Sequence, residues 1–423
     1  MWKVQVIRLE NGLTLYCHPG TTNVSGIGIK AGSIYDPPGM CGMAHYVEHL
    51  ISRISRRHPD ARANDLLFQE LMGGPDDAIN IRTDRWSVFY GHDDLLRRKH
   101  MEAIFDVMAS FVHPESRLVD LEGMAVEAAA VHQEYYLRGI DWMDALLDDQ
   151  AYATLYEKNP VRNRVDCEVE DLKHITMKDV ERFLHRYYAP QNAFAIILGP
   201  KIEEAKAMAL HCLRDWEERR IPTLDYDHAD DFPRLSSVRS CEIERAGIHQ
   251  HHVAIAFPTE TYNTPDAEAL DVIEKILRLR LNWALREGNH AFDGGSYRTP
   301  VFVERSFVHG LVSATFATSS REFATRAEDV VLGEYRRLRT DLVPQDELQS
   351  AIEAIHNKYL DAFWYRPGDL SEMIIHAAVN GDDDLEKLHA YRGQVLRVKS
   401  RHIREVANKY FTKNYARIVI RPA

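Results

Sequence analysis

Two stretches of the sequence, one near its middle and one at its end, resemble each other. Residues 178–200 read KDVERFLHRYYAPQNAFAIILGP, and residues 401–422 read RHIREVANKYFTKNYARIVIRP. Each predicts an amphipathic helix, an aromatic pair, a short loop with an asparagine (Asn192 or Asn414), and an apolar strand that ends in proline. The aromatic pair, the asparagine and the terminal proline follow in the same order, and the spacing differs by only one residue, in the loop before the asparagine. This similarity favours an internal duplication over convergence of two helix–strand units.

The segments around these repeats are compatible with the duplication. Thr176 and Ser400 stand where the N-caps of the two repeated helices are expected. Residues 13–32 suggest two strands near the N-terminus, and residues 239–258 suggest two more. Each half of the chain therefore reads as strands, then helices, then a closing helix and strand.

This order predicts an α+β fold of two homologous domains, each a mostly antiparallel sheet with helices packed on one face. We assign the domains to residues 1–215 and 239–423. Residues 216–238 are polar, contain two prolines and have no clear period, so they are predicted to be the linker. A length of 423 residues suits two domains of about 200 residues each.

The composition is that of a globular protein, with 45% hydrophobic and 27% charged residues. A formal net charge of −12 argues against nucleic-acid binding. It fits either a solvated acidic surface or an acidic cavity that attracts cationic ligands. We expect no membrane association, because there is neither a signal-peptide pattern nor a long apolar run. The few cysteines predict a reducing, cytoplasmic location: Cys17, Cys41, Cys167, Cys212 and Cys241.

A short stretch with two histidines contains residues that could bind a metal ion. Residues 43–52 read MAHYVEHLIS, and His45, Glu48 and His49 form a His-x-x-Glu-His string. Composition alone would produce such a string in roughly one chain in ten, so it needs support from elsewhere. Apolar residues recur at spacings of three and four across residues 42–55, which predicts a helix.

On such a helix His45 and His49 lie one turn apart on one face. Two imidazoles at this separation can hold one tetrahedral zinc ion with Zn–N bonds of about 2.0–2.1 Å. Glu48 leans toward the same face and can reach a water on the metal without being a ligand. The alternative is three ordinary polar groups on a surface helix.

A catalytic zinc site needs a third protein ligand, and residues 117–138 form a second strong helix candidate. Glu127 and Glu134 are two turns apart on it, so one could bind the metal while the other orients a histidine. His132 competes for the ligand role, although it points about a third of a turn away from Glu134. Solvated carboxylates on a long helix are the plain alternative.

Four quoted segments together resemble the pitrilysin/insulinase family of zinc metallopeptidases, the inverzincins. They are LENGLTLYCHP (9–19), AGSIYDPPGMCGMAHYVEHL (31–50), LMGGPDDAINIRTDRWSVFY (71–90) and LKHITMKDVERFLHRYYAPQNAFAIILGP (172–200). The length is similar to that of the half-length, processing-peptidase-like members. The resemblance covers most of the chain, and the combination is far more specific than the five-residue string.

The resemblance implies one zinc ion per chain, with His45, His49 and Glu134 as ligands. It makes Glu48 the catalytic base and Glu127 a supporting carboxylate in the catalytic site. His49 and Glu134 are 85 positions apart, somewhat further than is usual in the family. The choice between Glu127 and Glu134 as third ligand therefore stays open.

The resemblance also implies substrate contacts. Asn80 would lie on an edge strand that receives the substrate backbone. In residues 281–298, LNWALREGNHAFDGGSYR, the candidates for the family's Arg–Tyr substrate contacts are Arg286 and Tyr297. They are further apart than the family pattern, and some half-length members work as heterodimers in which the partner supplies this pair.

We therefore expect a zinc-dependent endopeptidase that cleaves peptides or small unfolded polypeptides, held as an extended strand in an enclosed chamber. Its expected partners are a peptide substrate and a second subunit, in a homodimer or a heterodimer with a related chain. Two alternatives remain. One is the catalytic subunit of a heterodimeric processing protease that is inactive alone. The other is a non-catalytic structural subunit of the same fold.

Overall fold

The structure, a computed structural model, describes residues 3–21, 23–53, 60–72, 80–93, 105–110, 112, 121–141, 143–167, 169–222, 224, 233, 235–287 and 300–423. The first half of the chain contains β1 (Gln5–Arg8), β2 (Thr14–His18), β3 (Val24–Ile29), α1 (Met43–Ser52), α2 (Ala61–Met72), β4 (Asn80–Thr83), β5 (Val88–Asp93), α3 (Leu121–Asp141), α4 (Met143–Leu155), α5 (Val169–Leu172), α6 (Met177–Tyr187), β6 (Ala193–Leu198) and α7 (Ile202–Leu213).

The second half contains β7 (Arg239–Arg245), β8 (His251–Thr259), α8 (Ala267–Asn282) with a π-helical turn (Trp283–Glu287), β9 (Val301–Glu304), β10 (Gly310–Thr318), α9 (Arg321–Thr340), α10 (Gln345–Trp364), α11 (Pro367–Val379), α12 (Glu386–Val395), α13 (Ser400–Tyr410) and β11 (Ala416–Pro422). Among the described helices, none combines the length and the apolar character that crossing a membrane requires.

These elements form two compact units, each built around one sheet. The first unit comprises residues 1–135, 163–225 and 359–389. Its sheet has the order β1-β2-β6-β3-β5-β4, in which β2 and β6 are parallel and the other neighbours are antiparallel. Strand β4 lies at one edge of this sheet.

The second unit comprises residues 136–162, 226–358 and 390–423. Its sheet has the order β7-β11-β8-β10-β9, in which β7 and β11 are parallel and the other neighbours are antiparallel.

Five of the six strands of the first sheet match the five strands of the second. β2-β6-β3-β5-β4 of the first unit has the same pairing pattern as β7-β11-β8-β10-β9 of the second, including the single parallel pair. In each sheet that pair includes the strand that ends the repeated stretch, β6 or β11. The predicted α+β architecture of two related, mostly antiparallel domains is confirmed.

Helices cover both faces of the first sheet. Apolar residues of α1, α6 and α7 share one core with alternate residues of β2, β3, β5 and β6. Strands β3 and β6 are buried at every position, so their opposite face also needs cover. Within the first unit that cover is α11, which packs against β3 and β6.

The second sheet repeats this arrangement. Helices α8, α9 and α13 share a core with one face of β8 and β10. Helix α4 packs on the sheet as well, where the hydroxyl of Tyr156, just beyond its end, donates to the carbonyl of Gly310 at 2.7 Å. Ala254 and Ala256 of β8 alternate with the residues of the core cluster, and their small side chains allow a helix to approach closely.

The compact units therefore differ from the contiguous domains, residues 1–215 and 239–423, in two segments. Residues 136–162 belong to the second unit and residues 359–389 to the first. The physical reason is that each sheet has two apolar faces. One face of each sheet is covered by a helix that comes from the other half of the chain. A helix pattern in the sequence shows that one face is apolar, but it does not show which sheet that face covers.

The caps of the repeated helices differ. Thr176 is the predicted N-cap of α6 and forms a capping box. Its hydroxyl accepts from the N–H of Asp179, and the Asp179 carboxylate accepts from the N–H of Thr176 at 3.1 Å. The prediction for Ser400 is wrong by one residue. Lys399 is the N-cap of α13, and the Ser400 hydroxyl donates to the carbonyl of Val343 at 2.7 Å.

The repeated asparagine has a structural role that generates a prediction. The amide of Asn192, only 8% exposed, donates to the carbonyls of Tyr187 at 2.9 Å and Lys30 at 3.3 Å, which joins the end of α6 to the end of β3. Replacing Asn192 with alanine leaves both carbonyls without this donor. We expect Asn192→Ala to lower the free energy of unfolding by about 1–3 kcal/mol, measured by urea titration.

Glu181→Ala is the control, because Glu181 is exposed on α6. Its free energy of unfolding should stay within about 0.5 kcal/mol of wild type. Equal unfolding midpoints for the two variants would contradict the bridging role of Asn192.

Candidate metal centre

Helix α1 begins at a glycine that the local geometry requires. Gly42 has φ of +78°, in the left-handed region, and precedes the first helical residue, Met43. The carboxylate of Asp36 accepts from the N–H groups of Gly42 at 2.7 Å and Ala44 at 2.9 Å. A carboxylate at this position satisfies amides that have no partner within the helix and complements its dipole. The helix ends at Ser52, three residues before the predicted end.

Two polar residues of α1, His45 and Glu48, are buried together with its apolar residues. His45 is 2% exposed and Glu48 is 6% exposed, while Met43, Val47 and other apolar residues of the helix lie in the core of the first unit. The hydroxyl of Tyr46 donates to the carbonyl of Met124 at 2.6 Å, which joins α1 to α3. The surface-helix alternative is thereby excluded for His45 and Glu48.

Three potential ligand atoms meet at the junction of α1 and α3. Nε2 of His45 lies 3.2 Å from Nε2 of His49, and Oε2 of Glu134 lies 3.3 Å from the first and 3.2 Å from the second. Two ligands of a tetrahedral zinc ion, each bonded at about 2.0–2.1 Å, are themselves about 3.3–3.4 Å apart. The three separations match that spacing, so the donor set and its geometry both fit a zinc ion.

Glu127 and His132 occupy other positions. Oε2 of Glu127 lies 3.3 Å from Nδ1 of His49, on the side of the ring that faces away from Glu134. The guanidinium of Arg53 donates to the other oxygen of Glu127 at 2.6 Å. His132 is not part of the His–His–Glu group that the described residues form.

Glu48 lies beside the three ligand atoms without joining them. Its Oε2 is 4.0 Å from Nε2 of His45. The hydroxyl of Thr83 donates to the same oxygen at 2.9 Å. Thr83 is the last residue of β4, so one hydrogen bond joins the carboxylate to the edge strand of the sheet.

The carboxylates around the two histidines dominate their electrostatics. Burial lowers the pKa of His45, but Asp166, Glu134 and Glu48 outweigh it and raise the pKa to about 10. Burial likewise opposes the effect of Glu127 and Glu134 on His49, whose pKa rises to about 9. For Glu127, burial raises the pKa, and His49 together with Arg53 lowers it below its usual value.

Three residues make contacts with the site that the sequence did not predict. Asp166 has Oδ1 3.2 Å from Nδ1 of His45, Thr83 binds Glu48, and Arg53 binds Glu127. Arg53 lies one turn beyond His49, so helical spacing is a signal that could have identified it. Asp166 lies more than a hundred positions from His45, and nothing local in the sequence connects them.

The predicted substrate contacts are only partly described. Asn80 begins β4, where its backbone pairs with Gly91, and its side chain lies outside the described residues. Arg286 is exposed on the π-helical turn of the second unit. Tyr297 lies outside the described residues.

Two glycines before α1 have the same backbone conformation but different surroundings. Gly42 and Gly39 have the same φ of +78°, but a Cβ on Gly42 would lie 2.2 Å from Sγ of Cys167, whereas a Cβ on Gly39 meets nothing within 4 Å. Gly39→Ala should cost about 1–2 kcal/mol of unfolding free energy, from the left-handed backbone alone. Gly42→Ala should cost at least about 1 kcal/mol more, because it also overpacks the core.

Denaturant unfolding of the two variants measures the difference. Adding Cys167→Ala to Gly42→Ala removes the sulfur atom and should recover part of the extra loss. Equal losses for Gly39→Ala and Gly42→Ala would show that Cys167 does not crowd this position.

Both halves of the chain match families of known proteins. Residues 13–169 match the family described as Insulinase (Peptidase family M16), and residues 174–355 match the family described as Peptidase M16 inactive domain. The second match begins before α6, so it includes α6, β6 and α7 of the first unit.

The proteins that are similar to the chain include two with the following names. It is 21% identical over 425 residues to "Zinc protease PqqE" of Helicobacter pylori, which covers 97% of this chain and 90% of that protein. It is 24% identical over 283 residues to "Probable mitochondrial-processing peptidase subunit alpha" of Schizosaccharomyces pombe, which covers 65% of this chain and 54% of that protein.

The fold is shared with the structure titled "The crystal structure of a protease from Helicobacter pylori". The TM-score is 0.85 at 18% identity, with 100% of both chains covered. With the family matches to both halves, and with one relative aligned over almost the whole chain, these findings confirm the resemblance seen in the sequence. The chain is a half-length member of the pitrilysin/insulinase (M16) peptidase family.

Proposed function

We propose that this chain is a zinc-dependent endopeptidase that cleaves peptides or small unfolded polypeptides. The observation that carries the proposal is the set of three ligand atoms from His45, His49 and Glu134, which lie 3.2–3.3 Å from one another with the Glu48 carboxylate beside them. A scaffold protein has no need of a buried imidazole (His45) and a buried carboxylate (Glu48) beside a second, half-buried histidine, because burying such groups costs free energy.

A catalytic zinc site uses three protein ligands and keeps one position for water or substrate, and the described residues of the first unit would supply three such ligands. Nε2 of His45, Nε2 of His49 and Oε2 of Glu134 would hold the ion. Bound zinc supplies Lewis acidity, which lowers the pKa of water and polarises a peptide carbonyl.

Side chains of the protein carry out the proton transfers and orient the reacting groups. Glu48 accepts the proton of the attacking water on its carboxylate and then returns it to the amine of the leaving peptide. Thr83 holds one oxygen of Glu48 through a 2.9 Å hydrogen bond, which keeps the carboxylate oriented toward the ligand atoms. Glu127 accepts from Nδ1 of His49 and so directs Nε2 of that ring toward the metal.

The substrate is proposed to bind as an added strand beside β4. This strand lies at the edge of the first sheet, and its last residue contacts Glu48. An edge strand presents unpaired N–H and C=O groups that an extended peptide can pair with, next to the chemistry. The roles of Asn80, Arg286 and Tyr297 in binding substrate stay predictions.

The assembly and the location are also proposals. The relative named as subunit alpha of a processing peptidase supports a dimer with a second copy or a related chain. Two alternatives are a partner-dependent catalytic subunit and a non-catalytic subunit. They are favoured by that relative and by the name of the family that residues 174–355 match. Native mass spectrometry for zinc and mass, followed by a peptide-cleavage assay of the purified chain, separates all three. The five free cysteines support the prediction of a cytoplasmic location.

Replacing the base tests the mechanism. Glu48→Gln removes the proton acceptor and leaves all three ligands in place. We expect it to retain the wild-type amount of zinc, measured by elemental analysis, and to cleave unstructured peptides at least about 100-fold more slowly. Glu181→Gln makes the same change at an exposed position of α6 and should keep wild-type activity. Peptide cleavage by Glu48→Gln at the wild-type rate would eliminate this mechanism.

Zinc binding should release protons. The neighbouring carboxylates raise the pKa of His45 to about 10 and that of His49 to about 9, so we expect both rings to be protonated at pH 7 in the zinc-free chain. Zinc binds only the neutral rings, so its uptake at pH 7 displaces about two protons and its affinity falls as the pH is lowered.

Titration calorimetry at pH 7, in two buffers with different ionisation enthalpies, counts the protons released. His211→Ala, which removes an exposed histidine of α7, should release the same number as wild type. An enthalpy of zinc binding that is the same in both buffers would contradict the prediction.

A further inference from the structure

A buried carboxylate lies against the first histidine of the motif, on the side away from the other ligand atoms. Oδ1 of Asp166 is 3.2 Å from Nδ1 of His45, and Asp166 is only 6% exposed. Nδ1 of His45 is itself buried and makes no aligned hydrogen bond with the described residues. The carboxylate is thus within reach of Nδ1 but lies outside the direction of its N–H bond.

The fold anchors the segment that carries Asp166 on both of its sides. Before Asp166, the amide of Asn163 donates to the carbonyl of Ser33 at 3.1 Å, and the Ser33 hydroxyl donates to the carbonyl of Asn163 at 3.2 Å. After it, the fully buried Cys167 packs against Gly42, where no side chain would fit. The position of Asp166 is therefore set by contacts with the segment that leads into α1, and not only by its attraction to His45.

Each of the two histidines has a carboxylate near its Nδ1 atom. Nδ1 of His49 faces Oε2 of Glu127 at 3.3 Å, and Nδ1 of His45 faces Oδ1 of Asp166 at 3.2 Å. Nε2 of each ring faces Glu134. Each imidazole thus lies between one carboxylate at Nδ1 and the shared ligand cluster at Nε2.

A histidine that binds a metal through Nε2 carries its proton on Nδ1. A carboxylate that accepts this proton fixes the tautomer, holds the ring in orientation and makes Nε2 a stronger donor. We propose that Asp166 is the positioning residue of His45, which accepts the Nδ1–H hydrogen bond when Nε2 binds zinc. A small rotation of the imidazole is enough to align the bond. This inference rests on the proposed function, because it takes His45 as a zinc ligand.

Zinc retention is the property that this role controls. Without the carboxylate, the ring can rotate and its other tautomer becomes competitive, so zinc should leave faster. A purely structural role for Asp166 would lower the stability of the protein and leave the zinc dissociation rate of the folded protein unchanged. The two roles therefore separate when zinc dissociation and unfolding are measured on the same variants.

The experiment uses the full chain as wild type, Asp166→Ala and Asp166→Asn. Each protein is loaded with one zinc ion and mixed with an excess of a coloured chelator, and the rate of zinc transfer is followed. We expect Asp166→Ala to bind zinc roughly 10–100-fold more weakly and to release it faster. Asp166→Asn keeps an acceptor oxygen without the charge, so its dissociation rate should lie between those of wild type and Asp166→Ala.

Asp171→Asn is the matched control. It makes the same charge change in the adjacent helix α5, on a side chain that is 38% exposed, and it should leave the dissociation rate at the wild-type value. Unfolding of the zinc-free proteins by urea is measured in parallel. If Asp166→Ala does not fold, the nearly isosteric Asp166→Asn decides the question.

Each outcome is decisive. Faster zinc release from both Asp166 variants, beyond any change in Asp171→Asn, supports the positioning role. Wild-type release rates in a folded Asp166→Asn overturn it and leave the proposed function intact, provided that the wild-type chain holds one zinc ion. A wild-type chain that does not bind zinc overturns the proposed function, and this inference with it.

Discussion

Helix α1 buries ionisable groups together with apolar ones, and the rest of the first unit depends on satisfying them. Eight of its ten residues are buried, and these include His45 and Glu48. A buried polar group without a partner costs more free energy than most single contacts provide, so each must meet a partner from elsewhere in the chain. The segments that surround α1 are held in place by this requirement as well as by apolar packing.

Partners of α1 come from four separate parts of the chain. Asp36 binds the amides at the start of the helix, Thr83 of β4 binds Glu48, Glu127 and Glu134 of α3 contact the histidines, and Asp166 approaches His45. These segments are distant in sequence, and the sheet and α1 bring them together. The site is consequently preorganised by the fold, which is what catalysis through directed dipoles and carboxylates requires.

The sequence was informative wherever a period or a repeat determines geometry. The i and i+4 spacing of His45 and His49 placed their rings together, and the repeated helix–loop–strand indicated two related sheets. Glu134 was one of three candidates, because helical periodicity orients residues on one helix but does not show which face meets another helix. Asp166 and the exchange of α4 and α11 between units depend on long-range packing, for which a single sequence carries no periodic signal.

The exchange of α4 and α11 affects how the chain folds during synthesis and where it can be truncated. Synthesis proceeds from the N-terminus, so all strands of the first sheet exist before residues 359–389, which cover one face of β3 and β6. Until then that apolar face has no cover from its own unit, a state that invites aggregation or chaperone binding. A fragment that ends near residue 215 would keep the same bare face permanently. The two halves form similar sheets, and neither half of the sequence by itself encodes a complete unit.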